Sequence, residues 1–293
     1  MPTPPPTSSS FPSTAEVLSR ATRLTTPCGP YGEGCMVWHV WGRQDSALPP
    51  VVLFHGGSGS WTHWVRNVDA LAGSGRWVLA VDLPGFGDSA VPPTGGDADA
   101  MPEPLEVGLS GLLGERQCDL VGFSFGGLTA GLFALQYPER LHRLVIVGAP
   151  GLGLATRRTQ GLTAWRHLTD AAEQREIHRY NLGALMLHHP ESIDEQAVEI
   201  QQANVPRDRL PDRRLAFLPT LLDALPQLSC PVDAIYGFED ALYQGRQVQL
   251  EAAIRNATPA LRDFQFIADA GHWVQYERAA AFNAALIAVL NQS

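Results

Sequence analysis

Three side chains define the chemistry open to this chain. Ser124 stands in Gly122-Phe123-Ser124-Phe125-Gly126, a Gly-x-Ser-x-Gly run. The apolar stretch Cys118-Asp119-Leu120-Val121 leads into it, and residues 128–135 lead out with helical spacing. Strand, sharp turn and helix would put the serine oxygen at the carboxyl end of a strand and the amino end of a helix. Glycines at 122 and 126 remove side chains that would collide as the chain doubles back. The plainer reading of the run is a glycine-rich connection that packs a helix close to a sheet. A hydroxyl is a weak nucleophile until a base takes its proton, and that base needs an orienting acid. Asp240 follows the apolar run at 232–236 and is the candidate acid, with Glu239 as its rival. His272, in Gly271-His272-Trp273, follows the apolar run at 264–267 and is the candidate base.

A serine of this kind also needs two N–H groups for the developing oxyanion. One is the N–H of Phe125, just after the nucleophile. The other is expected from Gly57, in His55-Gly56-Gly57-Ser58-Gly59-Ser60. That glycine run could also cradle a phosphate, but it has no Walker lysine and does not fit Gly-x-Gly-x-x-Gly. Ser58, Phe123, Trp165, Leu185, Met186 and Trp273 are the expected pocket wall. Among the other histidines, His55 reads as a brace for its loop. His63 and Trp64 read as pocket or packing residues. His188-His189 reads as a solvated helix end, not a metal site.

These residues need a scaffold that brings strand ends together. Residues 21–26 and 35–41 read as an antiparallel hairpin. Buried strands are expected at 51–54, 77–81, 118–121, 144–147, 232–236 and 264–267. Helices are expected at 61–71, 105–113, 128–135, 247–255 and 279–290. Strands alternating with helices imply an α/β fold, with a mostly parallel central sheet covered on both faces. Residues 152–228 read instead as helices joined by short loops. Ser192-Ile193-Asp194-Glu195 is a capping-box pattern that starts a helix through Gln202. The organisation expected is a disordered leader at 1–14, a core at 15–151, an inserted helical cap at 152–228 and the rest of the core at 229–293.

Composition bounds the partners. The 293 residues suit one large domain with an insertion. A net charge of −9 argues against nucleic acid. All 21 basic residues are arginine, which excludes Schiff-base lysine chemistry. The Pro/Ser/Thr-rich start has no signal-peptide pattern, and no apolar run is long enough for a membrane helix. The cytoplasm is the expected compartment. Cys28, Cys35, Cys118 and Cys230 show no metal spacing and are read as reduced, although Cys28 and Cys35 could face each other across the hairpin.

Five motifs together resemble the α/β-hydrolase superfamily over residues 35–290. They are His55-Gly56-Gly57, Asp82-Leu83-Pro84-Gly85-Phe86-Gly87-Asp88-Ser89, Gly122 to Gly127, Gly237-Phe238-Glu239-Asp240 and Gly271-His272-Trp273. The stretch Gly271-His272-Trp273-Val274-Gln275-Tyr276-Glu277 is similar to that of the carbon–carbon hydrolases acting on aromatic meta-cleavage products. Those enzymes usually carry asparagine where Phe123 stands, and a cap arginine that holds the substrate carboxylate. Gln201 falls near that arginine in register; Arg207, Arg209, Arg213 and Arg214 are the alternatives.

The residues and the resemblance imply a serine hydrolase that cleaves a small hydrophobic or aromatic ester through an acyl-enzyme. Ser124, His272 and Asp240 form its triad. Gly57 and Phe125 form its oxyanion hole. No cofactor or metal is expected, nor is a membrane partner. A homodimer is left open. Carbon–carbon hydrolysis, a ligand-binding receptor with little turnover, and cofactor-free perhydrolase or oxygenase chemistry are the alternatives.

Overall fold

In the computed structural model, residues 11–31, 34–154 and 161–292 are described. Eight strands form one sheet: β1 (Thr22–Pro27), β2 (Cys35–Trp41), β3 (Val51–Phe54), β4 (Val78–Asp82), β5 (Cys118–Phe123), β6 (Leu141–Val147), β7 (Val232–Gly237) and β8 (Leu261–Ile267). Their order is β1-β2-β4-β3-β5-β6-β7-β8. β2 runs antiparallel to both of its neighbours, and every other pairing is parallel.

The central strands are short and apolar because both faces are covered. Val52 and Phe54 of β3 enter one core; Val51 and Leu53 enter the other. The first core also takes residues from α3 (Pro102–Leu113), α4 (Phe125–Gln136), α7 (Thr220–Ala224) and α8 (Gln247–Ala257). The second takes α1 (Thr14–Ser19), α2 (Val68–Gly73), α9 (Val274–Glu277) and α10 (Ala279–Leu290). The expected α/β architecture is therefore present, and the last helix matches the expected bounds.

Two expectations need correction. Residues 61–71 do not form one helix. A 3₁₀ turn at Trp61–Trp64 is separated from α2 by Asn67, whose buried amide donates to Gln275 O and Asn283 Oδ1. That tertiary anchor interrupts the helix. The leader, too, does not run to residue 14. Ser13 and Glu16 form a reciprocal capping box that starts α1, and Pro12 O accepts from Gln196 Nε2. The leader expected at 1–10 lies outside the described residues.

Between β6 and β7, the described residues contain no strand. They hold α5 (Ala171–Asn181), a π-helical turn at Leu182–Met186, α6 (Glu195–Asn204) and α7. This segment meets the loops that follow the strands. Asn204 bonds Ser60 and Thr62 after β3, Arg209 N–H donates to Gly85 O after β4, and Met186 O accepts from Trp273 N–H after β8. All four cysteines are free, and Cys28 points at the Ala90 and Val91 carbonyls. No helix among the described residues is long and apolar enough to cross a membrane.

Candidate active site

The turn between β5 and α4 has the tight geometry its sequence implies. Ser124 has φ +51°, which an L-residue adopts only under constraint. Its N–H donates to Val147 O at 2.8 Å. A Cβ on Gly122 would fall onto the Gly126 carbonyl, and one on Gly126 onto the His55 carbonyl. Any larger residue at either position would push the turn off the sheet. The N–H of Phe125 opens α4, so it has no acceptor one turn earlier in the helix.

His272 Nε2 lies 2.9 Å from Ser124 Oγ, and His272 Nδ1 lies 2.8 Å from Asp240 Oδ2. The other carboxylate oxygen of Asp240 accepts from Leu242 N–H. Asp240 and His272 are buried, whereas Glu239 stays at the half-exposed surface. Of the two candidate acids, Asp240 is the one beside the imidazole. With an ionised Asp240, Nδ1 carries the proton and Nε2 presents its lone pair to the serine.

The surrounding loops are held by buried polar groups. His63 Nδ1 accepts from Gly56 N–H, and His55 Nε2 accepts from Leu83 N–H. Both contacts need an unprotonated nitrogen. Burial supplies it by lowering His55 to about 4 and His63 well below its usual value. Asp82 accepts from the N–H groups of Trp61 and Asp88, and burial raises its carboxyl to about 6. Tyr236 and Tyr243 both donate to Ala149 O, which holds the loop after β6.

A cavity of about 500 Å³ opens over Ser124 and His272. Gly57, Ser58, Phe123, Phe125, Leu185 and Met186 line it. Trp165 lines an adjoining cavity instead. Trp273, expected in the pocket wall, lines neither. It is fully buried, stacks on Tyr276 at 4.1 Å and donates its indole N–H to His63 O. The neighbouring helix turn captures its ring before it can reach the cavity.

Sequence reasoning missed one contributor and left another among four alternatives. Glu277 accepts from the N–H groups of Gly271, His188 and His189, which ties the histidine loop to the segment above it. Its place in the Gly-His-Trp-x-Gln-x-Glu stretch was the available signal. Among the four arginines considered, Arg213 is the one that lines the main cavity. It pairs with Asp208 and lies over the rings of Phe86 and Phe125. Asp208 in turn accepts from Ser58 Oγ at 2.5 Å. By contrast, Arg207 pairs with Asp88, and Arg209 donates to backbone carbonyls. Among the described residues no cluster fits a metal ion.

The α/β hydrolase fold family model matches residues 49–279. A 2-hydroxy-6-oxononadienedioate/2-hydroxy-6-oxononatrienedioate hydrolase of Paraburkholderia phymatum is 30% identical over 266 residues, 83% of this chain and 87% of its own length. A 2-hydroxymuconate semialdehyde hydrolase of a Pseudomonas species is 33% identical over 256 residues, 80% of this chain and 83% of its own. A thermophilic esterase from Thermogutta terrifontis has a TM-score of 0.69 at 25% identity, covering 92% of this chain and 98% of that one. Naproxen esterase from Bacillus subtilis has a TM-score of 0.75 at 21% identity, covering 94% and 95%, which is a likeness of fold.

Proposed function

Since the chain belongs to the α/β-hydrolase family and is a hydrolase, we propose that it cleaves a small hydrophobic or aromatic carboxylic ester through a Ser124 acyl-enzyme. The observation that carries this reading is the continuous Ser124–His272–Asp240 hydrogen-bond chain beneath a mainly apolar cavity. In the proposed reaction, His272 Nε2 takes the Ser124 proton as Oγ attacks the acyl carbon. Asp240 holds the Nδ1–H tautomer and stabilises the imidazolium. The N–H groups of Gly57 and Phe125 receive the oxyanion. His272 then gives its proton to the leaving alcohol. Water, deprotonated by the same nitrogen, attacks the acyl-enzyme and releases the acid. The helical segment above acts as a lid, excluding water and shaping the acyl site.

A second reading is hydrolysis of a carbon–carbon bond beside a ketone. Two observations favour it: the names of the two relatives, and the Arg213 guanidinium in the cavity wall, which suits a substrate carboxylate. Against it, the buried Phe123 side chain offers no hydrogen bond where the resembled enzymes usually carry asparagine.

The deciding experiment pairs 4-nitrophenyl esters of short and long acids with a 2-hydroxy-6-oxo-dienoate substrate. Higher kcat/KM for an ester supports the first reading. Higher kcat/KM for the dienoate, lost in Arg213→Gln, establishes the second. Failure of a fluorophosphonate to label Ser124 would remove both.

A further inference from the structure

A second cavity of about 350 Å³ adjoins the one over Ser124 and shares Gly57, Ser58, Leu162, Leu185 and Met186 with it. The two differ in chemistry. Away from the triad, the first is closed by the apolar Pro150, Ala216, Phe217 and Leu242 together with the charged Asp212 and Arg213. The second is walled by Trp165, His178, Asn181 and Gln201.

His178 lies on α5, is 2% exposed and packs against Trp165 with ring centroids 4.9 Å apart. Its ring makes no hydrogen bond among the described residues, and Nδ1 is fully buried. Buried polar groups in folded proteins nearly always have partners. Several other side chains hold such unpaired atoms, but of these only His178 lines either of the two cavities. On the neighbouring α6, the half-buried Gln201 amide also has no partner among the described residues. Asn181 differs, because its amide is committed to the N–H and carbonyl of Thr163.

The missing partner is a neutral one. Burial lowers the basicity of His178, which favours the uncharged imidazole with one donor and one acceptor. Gln201 presents the same combination. Among the described residues, the one cation lining this cavity, Arg166, is exposed and lies over the Trp165 ring. Beside His178 and Gln201, a carboxylate would therefore have no buried counter-charge among the described residues that line this cavity, whereas an amide or hydroxyl needs none and can pair with either side chain.

We propose that this second cavity is a subsite for a neutral hydrogen-bonding group, an amide, hydroxyl or carbonyl, on a flat part of the substrate, with His178 and Gln201 as its partners and Trp165 as its wall. The proposal rests on the hydrolase reading for the bond that is cut, and the subsite can be tested separately from it.

The test uses two matched ester pairs. In one, the leaving group is 4-acetamidophenol or 4-isobutylphenol, each carried as its butanoate. In the other, the acyl group is 4-acetamidophenylacetate or 4-isobutylphenylacetate, each carried as its 4-nitrophenyl ester. The acetamido member of one pair is expected to have kcat/KM about 10-fold above its apolar match, the effect of one to two neutral hydrogen bonds. That ratio should fall to near 1 in His178→Phe and in Gln201→Leu, with folding checked by fluorophosphonate labelling of Ser124. A ratio near 1 in both pairs for the wild type, or a ratio kept in both variants, overturns the proposal. Equilibrium binding of the same four esters to Ser124→Ala protein makes the test independent of turnover. There, loss of an acetamido preference on adding His178→Phe supports the subsite even if no ester is hydrolysed. No preference to lose counts against it even if every ester is hydrolysed.

Discussion

The sheet carries an Asp–His pair at each end. At the carboxyl ends of the strands, Asp240 Oδ2 lies 2.8 Å from His272 Nδ1. At the amino ends, Asp119 Oδ1 lies 2.7 Å from His142 Nδ1. Distance does not distinguish them; their surroundings do. The second oxygen of Asp119 holds Arg76 in a buried ion pair at 2.6 Å, and Arg76 also donates to Leu290 O. The His142 side chain is 43% exposed. His272 is 3% exposed and meets a serine oxygen beneath a cavity. An Asp–His pair therefore reads as catalytic only where a nucleophile, free N–H groups and a cavity converge on it. In a parallel sheet the loops that bring them together gather at the carboxyl ends. At the amino ends, the same side chains anchor strands.

The largest expected effect tests the upper pair through its nucleophile. Ser124→Ala should lower kcat by about 10⁶-fold in a folded protein. Near-normal turnover would reduce the upper site to a structural pair like the lower one.

Next comes the same substitution made at both ends. Asp240→Asn should cost on the order of 10⁴-fold in kcat through the wrong imidazole tautomer, and Glu239→Gln far less. Asp119→Asn should leave kcat within about 3-fold and instead destabilise the fold by about 3–5 kcal/mol, because Arg76 keeps a buried charge without its partner. Urea unfolding and initial rates on both variants measure this. Equal losses of kcat would end the distinction.

The upper pair has a roof and the lower has none. Leu185→Ala or Met186→Ala should change the ratio of kcat/KM between bulky and small esters by about 10- to 200-fold. Fluorophosphonate labelling of Ser124 should persist. An unchanged profile would argue that the lid does not select substrate.

The smallest effect belongs to the lower end. Burial raises the carboxyl of Asp233, which faces Arg143, to about 6. The folded state then holds a proton between about pH 4 and 6 that the unfolded chain releases, so this group removes stability as pH rises through that window. Asp233→Asn lacks that dependence. Its stability relative to wild type should improve by on the order of 2 kcal/mol from pH 4 to 6 and then level off. A constant difference across that range would show that Asp233 does not titrate there.

Much of this was legible in the chain itself. The serine turn is a local steric device, so Gly122, Ser124 and Gly126 reveal it wherever they follow a strand. The buried strands are short apolar runs between breakers, and their spacing indicates a parallel sheet. Asp240 and His272 stood out as candidates because each lies in the loop just after such a run. The break in the first helix was not legible, because Asn67 is held by residues more than 200 positions away.

By itself, then, the sequence determined the alternation of strands and helices, the serine turn and the order of serine, aspartate and histidine. The alternation and the turn depend on residues within a few positions of one another. The tertiary structure alone decided that Arg213 enters the cavity while Arg207 and Arg209 turn away, and that Trp273 stacks on Tyr276. It also decided that Glu277 gathers three N–H groups, and that one Asp–His pair meets a serine while the other meets an arginine. Each depends on contacts between distant segments, and a side chain's direction is settled only when the segment opposite has packed against it.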